Sequence, residues 1–240
     1  LITGWAAKYD SINNEWLHSS AYILKTDREG NYLWSKTYAY WSMFLYSCTT
    51  QDGGYLLSGY CYQTNSGYDM YAVKTDSLGN VQWERTYGTP NHDGGCKVVQ
   101  LPNGNMMLLG LMNDNQGIAE KLLCVSLLNT QTGFMLSPRY YRKNDIFAPE
   151  SVPYTNPDNT VTAVLLSYGN VPLQDYFTIF SPEGDLLHEQ AISSGIGSED
   201  YIRDIEPTPD GGYVLAGFNY NFPQSSWVVK VDSLGNTCGV

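Results

Sequence analysis

Apolar residues in this chain come in short runs of about five to seven, rich in β-branched and aromatic side chains and closed by Gly, Asp, Asn or Pro. Phe44 to Thr49, Tyr55 to Tyr60, Met70 to Thr75 and Val81 to Tyr87 are four such runs in succession. Their length and composition predict β-strands, and the residues between them predict tight turns. Gly, Asn and β-forming residues interrupt every helical candidate, so no helix is expected. Named a to d in chain order, the four runs make one antiparallel unit.

The unit repeats. Asp-Ser-Leu-Gly-Asn stands at Asp76 to Asn80 and again at Asp232 to Asn236, and Asp-Arg-Glu-Gly-Asn fills the same place at Asp27 to Asn31. Weaker copies lie at Asn129 to Gly133 and Ser181 to Asp185. Their glycines, Gly30, Gly79, Gly133, Gly184 and Gly235, recur about 50 residues apart. A second signal keeps the same period. Asp52-Gly53-Gly54-Tyr55 and Asp210-Gly211-Gly212-Tyr213 each precede an apolar strand, and Pro102 to Asn105 and Pro157 to Asn159 are diverged copies. Glycine supplies the positive φ that tight turns require, so both signals read as hairpins. A period near 50 with four short strands per unit predicts an all-β fold, a β-propeller of five four-stranded blades. The units run approximately 1–43, 44–93, 94–145, 146–198 and 199–240, within one domain spanning 1–240. Trp34 and Trp83 occupy the same place in strand d and are expected to pack between neighbouring blades.

The motif Asp-Gly-Gly-Tyr, then Lys-x-Asp-Ser-x-Gly-Asn, then a Trp-bearing strand resembles the repeats of secreted or surface-attached bacterial β-propeller proteins. It is distantly similar to the blades of quinoprotein-like propellers. The resemblance covers nearly the whole chain. It is specific in the first, second and fifth units and loose in the third and fourth. It implies an exported protein, periplasmic, attached to the outer membrane or extracellular, with a lipoprotein anchor as one route. It implies no catalytic residue.

Leu1-Ile2-Thr3-Gly4 aligns with Leu56-Leu57-Ser58-Gly59, so the sequence opens inside a strand b. This predicts an N-terminal inner strand supplied by upstream residues, where a signal peptide or lipid anchor would also lie. A larger ring is the alternative. Five blades are favoured because both ends of the sequence fall in the same blade context.

Charge narrows the partners. The net charge is −11, which argues against nucleic acid and against an anionic membrane surface, both of which recruit Lys and Arg. No run of 18 apolar residues exists, so no transmembrane segment is expected. The five cysteines, Cys48, Cys61, Cys96, Cys124 and Cys238, show no metal-binding spacing. They read as buried thiols, with a Cys48–Cys61 bridge conceivable across one hairpin. His18, His92 and His188 are too scattered for a metal site. No cofactor and no metal is expected, and the protein is expected to be a monomer.

The a–b and c–d turns are short and repeated, whereas the b–c and d–a connections differ in every unit, the longest being the first b–c loop, Trp5 to Ser20. Variable loops on a rigid scaffold are where binding residues concentrate. The b–c and d–a face carries Trp5, Trp16, His18, Trp41, Tyr62, Tyr68 and Tyr220, the candidate ligand-binding residues, with Asn and Gln nearby. Flat rings beside amides and carboxylates suit sugars, although aromatic enrichment equally marks a protein interface. The expected function is a non-catalytic binding or scaffold propeller contacting glycan or a cell-envelope protein. One alternative is a propeller glycoside hydrolase or lyase using channel carboxylates, with Asp93, Glu150, Asp200, Asp204 and Glu206 as weak candidates. Another is a purely structural envelope protein.

Overall fold

The computed structural model describes residues 1–13, 15–113, 121–141, 147–149, 151–167, 174–192, 200–219 and 225–237. The side chains of residues 8–10, 15–18, 121, 147, 148 and 200 fall outside that description. Among the described residues there is no helix, and five antiparallel sheets follow one another along the chain.

The first sheet holds β1 (Ile2–Asp10), β2 (Glu15–Thr26) and β3 (Tyr32–Tyr40). The second holds β4 (Ser42–Thr49), β5 (Tyr55–Gln63), β6 (Gly67–Thr75) and β7 (Val81–Tyr87). The third holds β8 (Cys96–Gln100), β9 (Met106–Asn113), β10 (Lys121–Leu128) and β11 (Met135–Tyr141). In the fourth, β12 (Phe147–Pro149) and β13 (Tyr154–Thr155) both pair with β14 (Val161–Ser167), followed by β15 (Gln174–Phe180) and β16 (Leu186–Ile192). The fifth holds β17 (Asp200–Pro207), β18 (Tyr213–Asn219) and β19 (Ser225–Val231). Each sheet packs on the next in sequence order, which is the β-propeller arrangement.

Burial follows from that packing. A strand in mid-blade is covered on both faces by neighbouring sheets, so β9 and β14 read as unbroken apolar runs and are almost wholly buried. The outermost strand has one wet face, and β7 alternates, burying Trp83 and Tyr87 while Gln82 and Glu84 face solvent. Among the described residues four apolar clusters fill the spaces between sheets; one joins Leu56, Met70 and Trp83 of the second blade to Val98, Met106 and Cys124 of the third.

The repeat motifs act as locks between blades. In each Asp-x-x-Gly-Asn turn the aspartate caps its own backbone. Asp76 Oδ1, for example, accepts from the Leu78 and Asn80 amides, both at 2.8 Å. The turn glycines have φ near +80°, and at Gly79 and Gly133 the strand-d tryptophan of the preceding blade lies against them. A Cβ on Gly133 would stand 2.6 Å from the Trp83 ring, and one on Gly79 would stand 2.9 Å from Trp34. Trp83 Nε1 donates to Thr130 O at 2.9 Å. Four residues along, a tyrosine donates to the same glycine's carbonyl: Tyr38 to Gly79, Tyr87 to Gly133 and Tyr141 to Gly184, at 3.0, 2.7 and 2.7 Å. The expected packing of Trp34 and Trp83 between blades is therefore present. In the fourth blade His188 takes the tryptophan's place and bonds Leu234 O at 2.8 Å.

Two expectations are corrected. The segment Trp5 to Ser20 is not a long loop. β1 and β2 stay paired from Ile2↔Leu24 out to Asp10↔Glu15, because apolar and aromatic residues continue on both arms of the hairpin. The Cys48–Cys61 bridge is absent, and both thiols are free. Cys48 pairs with Leu56 whereas Cys61 pairs with Ser42, so the two sit at opposite ends of the hairpin. Burial pushes the Cys61 thiol up to about 11 and the Cys96 and Cys124 thiols up to about 12, which keeps all three inert.

Candidate functional site

The end of the barrel that carries the b–c and d–a connections gathers aromatic side chains where the second blade meets the third. Tyr62 and Tyr68 face each other across the β5–β6 hairpin, with ring centroids 5.5 Å apart at 75°. Tyr60 meets Tyr68 edge to face at 5.2 Å. His92, from the link between β7 and β8, lies 5.4 Å from Tyr68 and accepts the Tyr68 amide at Nδ1. The hairpin bends at Gly67 with φ +87°, and a Cβ there would come within 3.0 Å of the His92 ring. Glycine therefore lets the imidazole lie down on the backbone.

Trp41 joins this group from the first d–a connection. Its amide donates to Ser19 O, and its carbonyl accepts from the Tyr62 amide at 2.7 Å. These bonds hold it at φ +58°, a left-handed conformation that is unfavourable for a bulky side chain. The indole is nonetheless 54% exposed.

Beneath the rings lies a pair of carboxylates. Asp93 is 3% exposed and Asp69 is 7% exposed. Asp93 Oδ2 accepts the Thr89 amide at 2.6 Å, and Oδ1 accepts the Asn113 amide at 2.5 Å. Asp69 Oδ2 accepts the Ser66 hydroxyl at 2.9 Å. Asp69 Oδ1 is buried with no hydrogen-bond donor among the described residues. Both carboxylates crowd the same point: a Cβ on Gly88 would run into Asp69 Oδ1 and stand 2.6 Å from Asp93 Oδ2. Two acids this close share a proton more readily than they both ionise. Burial pushes both carboxyls up, and for Asp93 the Asp69 charge adds to it.

A cavity of about 320 Å³ opens here, lined by Tyr60, Tyr68, Asp93, Gly94 and Gly95. The two glycines leave room in its wall. A Cβ on Gly94 would stand 2.7 Å from Leu111, and one on Gly95 would stand 3.1 Å from Leu45.

The structure thus brings together Tyr62, Tyr68 and Asp93 of the residues singled out in the sequence, with Trp41 tied to Tyr62 through its backbone. Trp5 is exposed and lies on β1, paired with Ala21 in the first blade. The side chains of Trp16, His18 and Asp200, and all of Glu150 and Tyr220, lie outside the described residues. Asp204 and Glu206 share one face of β17, with Ile205 buried between them. Glu206 lines a separate cavity of about 320 Å³ on the barrel axis, with Tyr46, Gln100 and Tyr154, near the a–b turns. The sequence reading omitted Asp69. Its signal was a lone acid inside the otherwise apolar and aromatic run Tyr68 to Val73.

No family model matches the sequence, and no curated protein matches it. Solved structures do. A thermostable family-43 glycoside hydrolase is 9% identical, with 100% of this chain and 94% of that one covered at a TM-score of 0.56. A protein of unknown function from Dyadobacter fermentans is 12% identical, with 90% and 69% covered at a TM-score of 0.60. The exo-β-1,3-galactanase of Phanerochaete chrysosporium, solved with galactose, is 12% identical, with 99% and 60% covered at a TM-score of 0.52. At these identities the likeness is one of fold, and it agrees with the five-sheet β-propeller.

Proposed function

We propose that this chain is a carbohydrate-directed β-propeller that hydrolyses glycosidic bonds at the cavity between its second and third blades. The observation that carries this reading is Asp93, a buried acid lining a cavity walled by tyrosines. Tyrosine rings present flat apolar surface to a pyranose, and a few placed polar groups orient it. A carboxyl held protonated by its surroundings is what protonation of a glycosidic oxygen requires. The fold likeness to two glycoside hydrolases supports hydrolysis over an inert scaffold.

Asp69 crowds Asp93 too closely to be the second carboxylate, which stands roughly 5 to 10 Å from the first in such enzymes. It is a positioning residue that keeps Asp93 protonated. Of the acids singled out in the sequence, Asp200 begins β17 and is the candidate for the base or nucleophile, its side chain lying outside the described residues. The export and surface attachment implied by the repeat resemblance belong to the same proposal, and cell fractionation checks them.

The test is a screen of aryl glycosides and oligosaccharides for released sugar. Turnover is expected, and Asp93→Asn should lower kcat by about 100-fold or more. Tight sugar binding with no turnover by either protein refutes hydrolysis. That result leaves the second reading, non-catalytic glycan recognition, which the close contact of Asp69 with Asp93 favours.

A further inference from the structure

The cavity between Tyr60, Tyr68 and Asp93 has the composition of a cation site. Among the described residues its lining contains no lysine or arginine. Tyr60 and Tyr68 wall it, and the Tyr60, Tyr62 and His92 rings pack round Tyr68 at centroid distances of 5.2 to 5.5 Å. Aromatic rings present negative faces to a cation. Beneath them, Asp69 Oδ1 is buried without a donor among the described residues, beside the second carboxylate of Asp93. A neutral sugar hydroxyl would give this oxygen one weak donor. An ammonium offers three donors and the charge that two adjacent acids demand. The protein's net charge of −11 works in the same direction, since it repels uronic and sulfated sugars and attracts cations.

We propose that the cavity receives a protonated primary amine carried on a sugar, so that the ligand is a glycan with free amino groups. This rests on the reading of the cavity as a sugar site. The ammonium donates to Asp69 Oδ1 and leaves Asp93 its proton, and the ring that carries it lies against Tyr60 and Tyr68.

The experiment is titration calorimetry of the intact chain with three oligosaccharides of equal length: β-1,4-glucosamine, its N-acetylated form and the β-1,4-glucose form. Choline serves as a sugar-free ammonium. The expected result is that the glucosamine oligomer binds about tenfold or more tightly than the other two sugars. Asp69→Asn should remove that preference. Asp69 also accepts the Ser66 hydroxyl, so Tyr68→Leu is a second variant, expected to weaken the amine-bearing sugar without altering the circular dichroism spectrum. Equal affinity for all three sugars, or a preference unchanged in both variants, overturns this inference and leaves the proposed function standing. Binding of choline with no sugar bound overturns both.

Discussion

Gly133 is where the interblade lock is tightest, and replacing it with alanine separates two costs that usually travel together. Its φ is +73°, and a left-handed backbone costs an L-residue roughly 1–2 kcal/mol. An added Cβ would also stand 2.6 Å from Cε3 of Trp83 and 2.9 Å from two further ring atoms. The indole cannot retreat freely, because its Nε1 donates to Thr130 O and the ring is almost wholly buried. Overpacking of that kind adds roughly 1–3 kcal/mol, so Gly133→Ala should cost about 2–5 kcal/mol in all. Gly211 isolates the first component: its φ is +85° and nothing lies within 4 Å of its would-be Cβ. Gly211→Ala should therefore cost only about 1–2 kcal/mol. Urea denaturation followed by tryptophan fluorescence reads the midpoints, with m-values compared to confirm that the same unit unfolds. In a Trp83→Ala background the excess cost of Gly133→Ala should vanish, which a double-mutant cycle measures. Equal destabilisation by the two glycine replacements, or an excess that survives removal of Trp83, would refute the account of this lock.

Asp52 gives a prediction in pH. Burial pushes its carboxyl up, but bonds from Lys74, Thr50 and Gly54 outweigh that and hold it at about 2, below its ordinary 3.8. The folded value is the depressed one, so its stabilisation is complete above about pH 4 and is lost as pH falls towards 2. Asp52→Asn should lower stability at pH 7 by about 1 kcal/mol or less, the carboxylate being half exposed. Melting curves of the two proteins should converge near pH 2, and a gap that persists there contradicts the assignment. Trp41→Gly tests whether a strained backbone is kept for a ligand. Relief of the left-handed conformation is worth roughly 1–2 kcal/mol, of which glycine's extra chain entropy takes back about 0.5–1. The melting midpoint should hold or rise while affinity for the bound sugar falls; a lower midpoint would mean that the indole stabilises the fold.

The parts of this protein legible in the sequence are those whose demands are local. A positive φ requires glycine at Gly79 whatever surrounds it, and Asp76 caps its own turn. The Asp-x-x-Gly-Asn repeats could therefore be read residue by residue and the blade count inferred from their spacing. The tryptophans of strand d were legible because their period matched that of the turns. The site was less so, because it depends on contacts between separate segments. Asp93 was visible as an acid before a strand a, but its partner Asp69 is 24 residues away, and the link from Gly88 to Asp93 must fold back over β6 before the two carboxylates meet. The Trp5 to Ser20 segment misled for a related reason. Without a turn signal close to the strand b motif, nothing local indicates how far a hairpin continues.

The repeat also decays in an ordered way, and the site lies where it has decayed least. Four residues after the turn glycine stand Trp34, Trp83, Ser137 and His188, and eight after it stand Tyr38, Tyr87, Tyr141 and Ile192. Only the first and second blades place both a tryptophan and a tyrosine on the next blade's turn. At the junction of the second and third blades, Trp83 and Tyr87 fasten one end through Thr130 and Gly133. At the other end Asp93 ties the link to the third blade through the Asn113 amide and stands against Asp69 of the second. A catalytic or binding group is useful only if its supports hold it to within a fraction of an ångström. A cavity cut between two sheets inherits the rigidity of the joint between them. Weakening the far end of this joint, as Tyr87→Phe does by removing the bond to Gly133 O, should therefore loosen ligand binding at a cavity that residue never touches.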